Sequence, residues 1–279
     1  MRLVHTLLFL LRENSFQQDI ELATKCLKTL EKSTYKTVVI YNQGFFTNEQ
    51  LKTFLSQFDL DCIVIGDAAN VGTVVVRQSC FEYIWQNLPS TEYISEIHLD
   101  MIFTYNWEDV LVDYLFNNDE PMISCGIIDI NGQLAFLDSK PFDLPDDQNN
   151  FDNFLSSLRQ DKVVHGFTNP CIHVSKAIHA IGGYNSLFLK GKQCYEDDSI
   201  LLGYYYYYGT RANWHPKVNY NSVVFHSVAG QRLGLNDSVL LNYDGLVKQY
   251  GTMGLKHLSQ LHKSQWHKNF FNEQYNKLL

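Results

Sequence analysis

What most constrains the fold is a unit repeated through the first half of the chain: a short, almost continuous apolar run, a polar turn, then a segment with apolar residues at helical spacing. Residues 3–11, 37–41 (TVVIY), 62–65, 93–99 and 122–128 are the apolar runs. Between them, 17–32 places Ile20, Leu22, Ala23, Cys26, Leu27 and Leu30 at helical intervals, and 48–58 does the same with Leu51, Phe54, Leu55 and Phe58. Segments 72–87 and 107–116 also have helical spacing. Runs without polar alternation are strands buried on both faces, and strand–helix repeats build a mostly parallel sheet covered by helices. The expected class is α/β. Ligands of such sheets bind at the carboxyl ends of the strands. The first places to look for chemistry are therefore the polar strand ends Arg12-Glu13-Asn14, Asn42, Gly66-Asp67 and His98-Leu99-Asp100.

Near Asn131-Gly132 the pattern changes, because Asn-Gly between apolar runs signals a hairpin. A polar loop is expected over 141–153, a helix near 154–159, an irregular Gly/Pro segment over 164–170 and a helix over 173–181. A helix from about 197 through the five tyrosines 204–208, a strand at 222–225 and amphipathic helices from about 238 complete the expectation. On a helix the five tyrosines point all round, so packing is their main expected role.

Several function classes drop out on charge and cysteine usage. A net charge of −8 over 279 residues, with the basic side chains scattered, argues against a nucleic-acid surface and a polybasic membrane patch. The six cysteines (26, 62, 80, 125, 171 and 194) have no C-x-x-C spacing, and several sit in apolar runs, as reduced buried thiols do. A cytoplasmic protein is expected. The apolar stretch 3–11 is too short to span a bilayer and lacks a small-residue cleavage site.

Three motifs carry chemistry. His98 and Asp100 alternate onto one side of a strand end, and an imidazole beside a carboxylate can hold a divalent cation that neutralises a diphosphate. The same pair is also how an ordinary hydrogen-bonded surface pair looks. Glu196-Asp197-Asp198 opens a helix; three consecutive acids exceed what capping needs, and their repulsion raises the pKa of one towards that of a general base. His226 ends the apolar run 222–225, and Arg232 follows in a loop with Gly230 and Gly234.

In their order along the chain, and with Gly182-Gly183-Tyr184-Asn185 between them, these motifs resemble the nucleotide-sugar-dependent glycosyltransferases of the GT-A fold, glycosyltransferase family two in particular. The resemblance implies residues 1–130 as the nucleotide-sugar-binding half and 131–235 as the acceptor-binding and catalytic half of one domain, with 236–279 a helical extension. It implies a donor such as a UDP-sugar, with Mn2+ or Mg2+ held by Asp100, His98 and His226. Asn42, Asp67, Asn70, Arg77 and Arg232, together with His98 and Asp100, are expected to face the donor. Asp197 is expected as the base of an inverting transfer, with Glu196 orienting the acceptor or the base. Trp107, Gly183, Tyr184 and Trp214 are expected at the acceptor, which is a glycan, a protein or a small molecule. His98 and Asn42 stand where the family usually has acids. That departure keeps open an alternative, a degenerate member that binds nucleotide or glycan without transfer. A dinucleotide oxidoreductase lacks its G-x-G-x-x-G after the first strand. Finally, loop 228–234, with its two glycines and Arg232, is expected to close over the donor.

Overall fold

The computed structural model describes residues 2–145, 148–210, 213–227 and 236–279. Nine strands form one sheet: β1 (Leu3–Phe9), β2 (Thr37–Asn42), β3 (Asp61–Ile65), β4 (Tyr93–Ile97), β5 (Met101–Ile102), β6 (Met122–Ile128), β7 (Val163–His165), β8 (Cys171–Val174) and β9 (Lys217–His226). Their order is β3-β2-β1-β4-β8-β6-β9-β5, with β7 also on β9. β1, β2, β3 and β4 pair in parallel; β8 runs antiparallel to both β4 and β6, and β9 runs parallel to β6. Strands β1, β2, β3, β4, β6 and β9 therefore point one way, and β5, β7 and β8 run against them. The class is α/β with a mixed, mostly parallel sheet, as the repeated unit predicts.

The helices are α1 (Phe16–Leu30), α2 (Asn48–Leu55), α3 (Thr73–Asn87), α4 (Asp109–Asn117), α5 (Gln148–Ser157), α6 (Ser175–Ala180), α7 (Glu196–Tyr204), α8 (Asn236–Leu261) and α9 (Gln265–Lys277). One apolar layer packs α1, α2 and α4 against the sheet, with Leu27, Leu51 and Leu111 fully buried. A second packs α3, α6, α7, α8 and α9 on the other face through Phe81, Ile178, Leu201, Leu258 and Phe271. β1 and β2 lie between the layers, which is why they read as mostly apolar runs with no polar alternation.

The second half departs from expectation in several places. Residues 164 and 165 of the expected irregular stretch 164–170 belong to β7, and helix α6 starts only at Ser175, because Cys171–Val174 is spent on pairing with β4 and β6. β9 is ten residues long rather than four. The tyrosine run leaves α7 as a π-helical turn, Tyr205–Gly209. Tyr204 is buried and Tyr206 stacks on Tyr250 (centroids 5.8 Å apart), whereas Tyr207 is exposed. Gly251, at φ +70°, kinks α8.

Candidate active site

The chain leaves β1 for β2 and β3 on one side, then returns to β4 on the other, so the sheet has a switch point between the carboxyl ends of β1 and β4, where α/β sheets bind ligands. His98 and Asp100 lie in the turn after β4, and His226 is the last residue of β9, brought beside them because Met101 pairs with His226 across β5 and β9. The three side chains offer ligand atoms within 4.8 Å of one another. The His98 and His226 rings meet edge to face at 5.3 Å, and His226 Nε2 stands 3.3 Å from Asp100 Oδ1.

Hydrogen bonding sets the chemistry of this cluster. His226 Nδ1–H donates to the backbone oxygen of Asn169 (3.1 Å), which turns Nε2 towards the Asp100 carboxylate. Burial, then the Arg77 and His226 charges, push the His98 pKa down, so its imidazole is neutral and free to ligate. Against the cost of burial, His226 and His98 hold Asp100 below the usual carboxylate range. Two imidazoles and one carboxylate offer mixed nitrogen and oxygen donors to a first-row divalent ion such as Mn2+ and leave positions open for further oxygen ligands. An apolar cavity of about 260 Å³, lined by Leu22, Met101, Ile102, Phe151 and Phe225, opens beside Asp100.

The three acids that open α7 have three different environments. Asp198 Oδ1 is 2.6 Å from His262 Nε2. Both Asp197 oxygens accept from Asn169 Nδ2, at 3.2 and 3.3 Å. Glu196 Oε2 is buried without a hydrogen-bond partner among the described residues. Burial, followed by the charges of Glu96 and Asp198, raises the Asp197 pKa; burial and Asp197 raise that of Glu196. Asp197 is thus a half-buried carboxyl tuned towards proton transfer. The turn into α7 is strained: Cys194 and Tyr195 both have positive φ (79° and 63°), costing on the order of 1–3 kcal/mol each. Asn242 of α8 holds it by accepting from the Gly191 N–H and donating to the carbonyls of Gly191, Gln193 and Cys194.

Beneath the cluster lies a buried polar network that no motif announces. Glu96, opposite Cys171 in the sheet, accepts from Arg77 Nε (2.8 Å), His173 Nε2 (2.8 Å) and the Tyr184 hydroxyl (2.9 and 3.0 Å). Against the cost of burial, these partners hold Glu96 ionised, well below its usual pKa. Arg77 also donates to Thr6 O in the middle of β1 and to Ile97 O at the end of β4, which ties together the two strands at the switch point.

At the far end of the row, Asp67 is exposed after β3, and the Asn70 side chain caps the Gly72 N–H. Gly72 packs against the backbone of Lys192; a Cβ there would stand 2.7 Å from the Lys192 Cα, so only glycine lets loop 66–72 dock beside the α7 turn. Phe45, 54% exposed just after β2 and tilted against Phe16 at 4.5 Å between centroids, is an aromatic surface at the same end that the sequence pattern does not mark.

Several expected contacts need correction. Trp107 is fully buried, with its indole N–H on Ser33, so it belongs to the core and meets no acceptor. Tyr184 is buried on Phe81 with its hydroxyl on Glu96. Arg77 is committed to Glu96 and cannot reach a donor. Asn42 is buried, its amide used on Phe46 O, Asn48 and the Gly44 N–H to build the turn. Trp214 donates to Glu120 and lines a cavity of about 600 Å³ with Tyr93 and Pro121, at the opposite end of the strands. Gly183, at φ +66°, closes α6 through its N–H to Ile178 O. Arg232 and loop 228–234 lie outside the described residues.

No protein-family model matches this sequence, and no curated protein does. Solved structures do match in fold. TarS 1-349 of S. aureus in complex with UDP-GlcNAc superposes with a TM-score of 0.56 at 11% identity, over 97% of this chain and 70% of that one. A longer TarS chain gives 0.57 at 12%, over 99% of this chain, which spans 43% of its length. The mannosyltransferase PcManGT from Pyrobaculum calidifontis, in complex with GDP-Man and Mn2+, gives 0.53 at 10%, over 98% and 68%. The chain has the GT-A fold.

Proposed function

We propose that this GT-A chain is a glycosyltransferase that moves a sugar from a nucleotide-diphosphate sugar to an acceptor hydroxyl with inversion. The observation that carries the proposal is the convergence of His98, Asp100 and His226, from separate parts of the chain, at the switch point, with Asp197 joined to the same assembly through Asn169. Neighbours of the same fold bound to UDP-GlcNAc and to GDP-Man with Mn2+ support it.

The donor lies across the strand ends. The nucleoside occupies the end formed by loop 66–72 and Phe45, three strands or about 14 Å from β4, and the diphosphate reaches the cluster. A divalent ion held by His98, Asp100 and His226 would neutralise the charge on the departing diphosphate. Asp197 takes the proton of the acceptor hydroxyl as its oxygen attacks the anomeric carbon. The bond from that carbon to the diphosphate oxygen breaks on the opposite side. Glu196, beside the base, orients the acceptor.

Release of nucleoside diphosphate from a panel of UDP- and GDP-sugars in Mn2+, with a mixture of glycan acceptors, tests the proposal. Release by the wild type that is lost in Asp197→Asn is expected. Equal release by the variant removes Asp197 as base, and no release from any donor favours a binding protein without transfer.

A further inference from the structure

We infer that Asn169 is the positioning residue of this site, aiming the Asp197 carboxylate with its side chain and fixing the His226 ring with its backbone. The inference rests on the transfer reading above. Asn169 is in the loop before β8 and has three partners at once. Its Nδ2 donates to both Asp197 oxygens, its backbone oxygen accepts from His226 Nδ1–H, and its Oδ1 accepts from the Cys171 thiol (3.4 Å).

The Asp197 oxygens, which only accept when ionised, set the orientation of the amide: with Nδ2 turned to them, Oδ1 faces the Cys171 thiol. Cys171 is itself packed beside His173 (3.2 Å), whose other nitrogen meets Tyr204 of α7 at 2.8 Å. The loop is therefore anchored in the buried network of Glu96, His173 and Tyr204.

What Asn169 supplies has no replacement nearby. The charged groups around Asp197 are Glu196 and Asp198 on its own helix, Glu96 of β4 and Arg77 of α3. Three are acids, and Arg77 is spent on Glu96. Among the described residues Asn169 alone donates to Asp197 from a side chain, so it both holds the carboxylate and favours its ionised form. An anionic, fixed carboxylate is what a base needs.

The two functions of Asn169 separate experimentally, because a side-chain substitution keeps the backbone oxygen that His226 uses. In Asn169→Ala and the isosteric Asn169→Asp, kcat should fall about 10- to 100-fold with donor KM nearly unchanged. The Mn2+ Kd should hold, and the rising limb of kcat against pH should move to higher pH. The Asp197 carboxyl, titrated directly by carbon-13 NMR, should move the same way. Unchanged kcat and an unchanged Asp197 titration in both variants overturn the inference, as does a loss of Mn2+ affinity as large as the loss of kcat. If the wild type transfers nothing, the transfer reading falls by itself, and the Asp197 titration still decides whether Asn169 governs that carboxyl.

Discussion

Asp198 Oδ1 and His262 Nε2 are 2.6 Å apart, a contact that ties the first turn of α7 to the end of α8 and takes Asp198 out of the acidic group facing the cluster. Its neighbour Asp197 points instead to Asn169. Adjacent acids therefore have separable roles. Asp197→Asn should lower kcat by about 10²- to 10⁴-fold with donor affinity retained. Asp198→Asn should keep most activity and cost about 1–3 kcal/mol of stability by loosening the α8 contact. Steady-state kinetics and urea unfolding of the two variants check this.

The nitrogen-rich cluster makes a metal prediction. Two imidazoles and one carboxylate should favour Mn2+ over Mg2+, which prefers oxygen ligands. His226→Ala should weaken Mn2+ binding, and His98→Asp should shift the preference towards Mg2+. Titration of the Mn2+ electron paramagnetic resonance signal, with Mg2+ as competitor, measures both.

Glu108 predicts a pH dependence of stability. Burial pushes its pKa up to about 7, although its Oε1 accepts the Thr34 and Tyr35 N–H groups, and its Oε2 has no hydrogen-bond partner among the described residues. The folded state thus binds a proton over a range in which the unfolded chain, near 4.3, does not. Its contribution is complete below that value and is lost as pH rises through about 7. Tm should fall between pH 5 and 8, and Glu108→Gln should flatten the slope, as read by scanning calorimetry.

Arg77→Met leaves the Glu96 charge buried with its principal partner removed, and should cost about 3–5 kcal/mol. Transfer should fall as well, because Arg77 also fixes Ile97 O, next to His98. Tyr184→Phe keeps the ion pair and should cost less, about 1–2 kcal/mol. Chemical denaturation ranks the two.

The parallel half of the fold is legible in the sequence because β1 and β2 are buried on both faces and so are mostly apolar, with His5 and Thr6 admitted only by their hydrogen bonds to Ser95. β8 is not, since four residues after an Asn-Pro turn have no room for a period. β9 shows only at 222–225 because Lys217, Asn219 and Asn221 interrupt the apolar pattern of its first half. At the site, His98, Asp100, Asp197 and His226 can be found as charged or imidazole groups at element ends. Whether an aromatic or an arginine faces a cleft depends on packing, and Trp107, Tyr184 and Arg77 turn inward to satisfy the core and Glu96. Asn169 has no sequence signature, because its role comes only from the loop that brings it between β9 and α7.

The central claim is a nucleotide-sugar site whose grip on the diphosphate runs through the His98, Asp100 and His226 cluster. Calorimetric titration of UDP and of GDP into the protein, with Mn2+ and with a chelator in its place, tests it most directly. One of the two nucleotides should bind in Mn2+, binding should collapse in the chelator, and Asp100→Asn should abolish the difference. Failure of both to bind in Mn2+, or equal binding with and without it, would contradict the account.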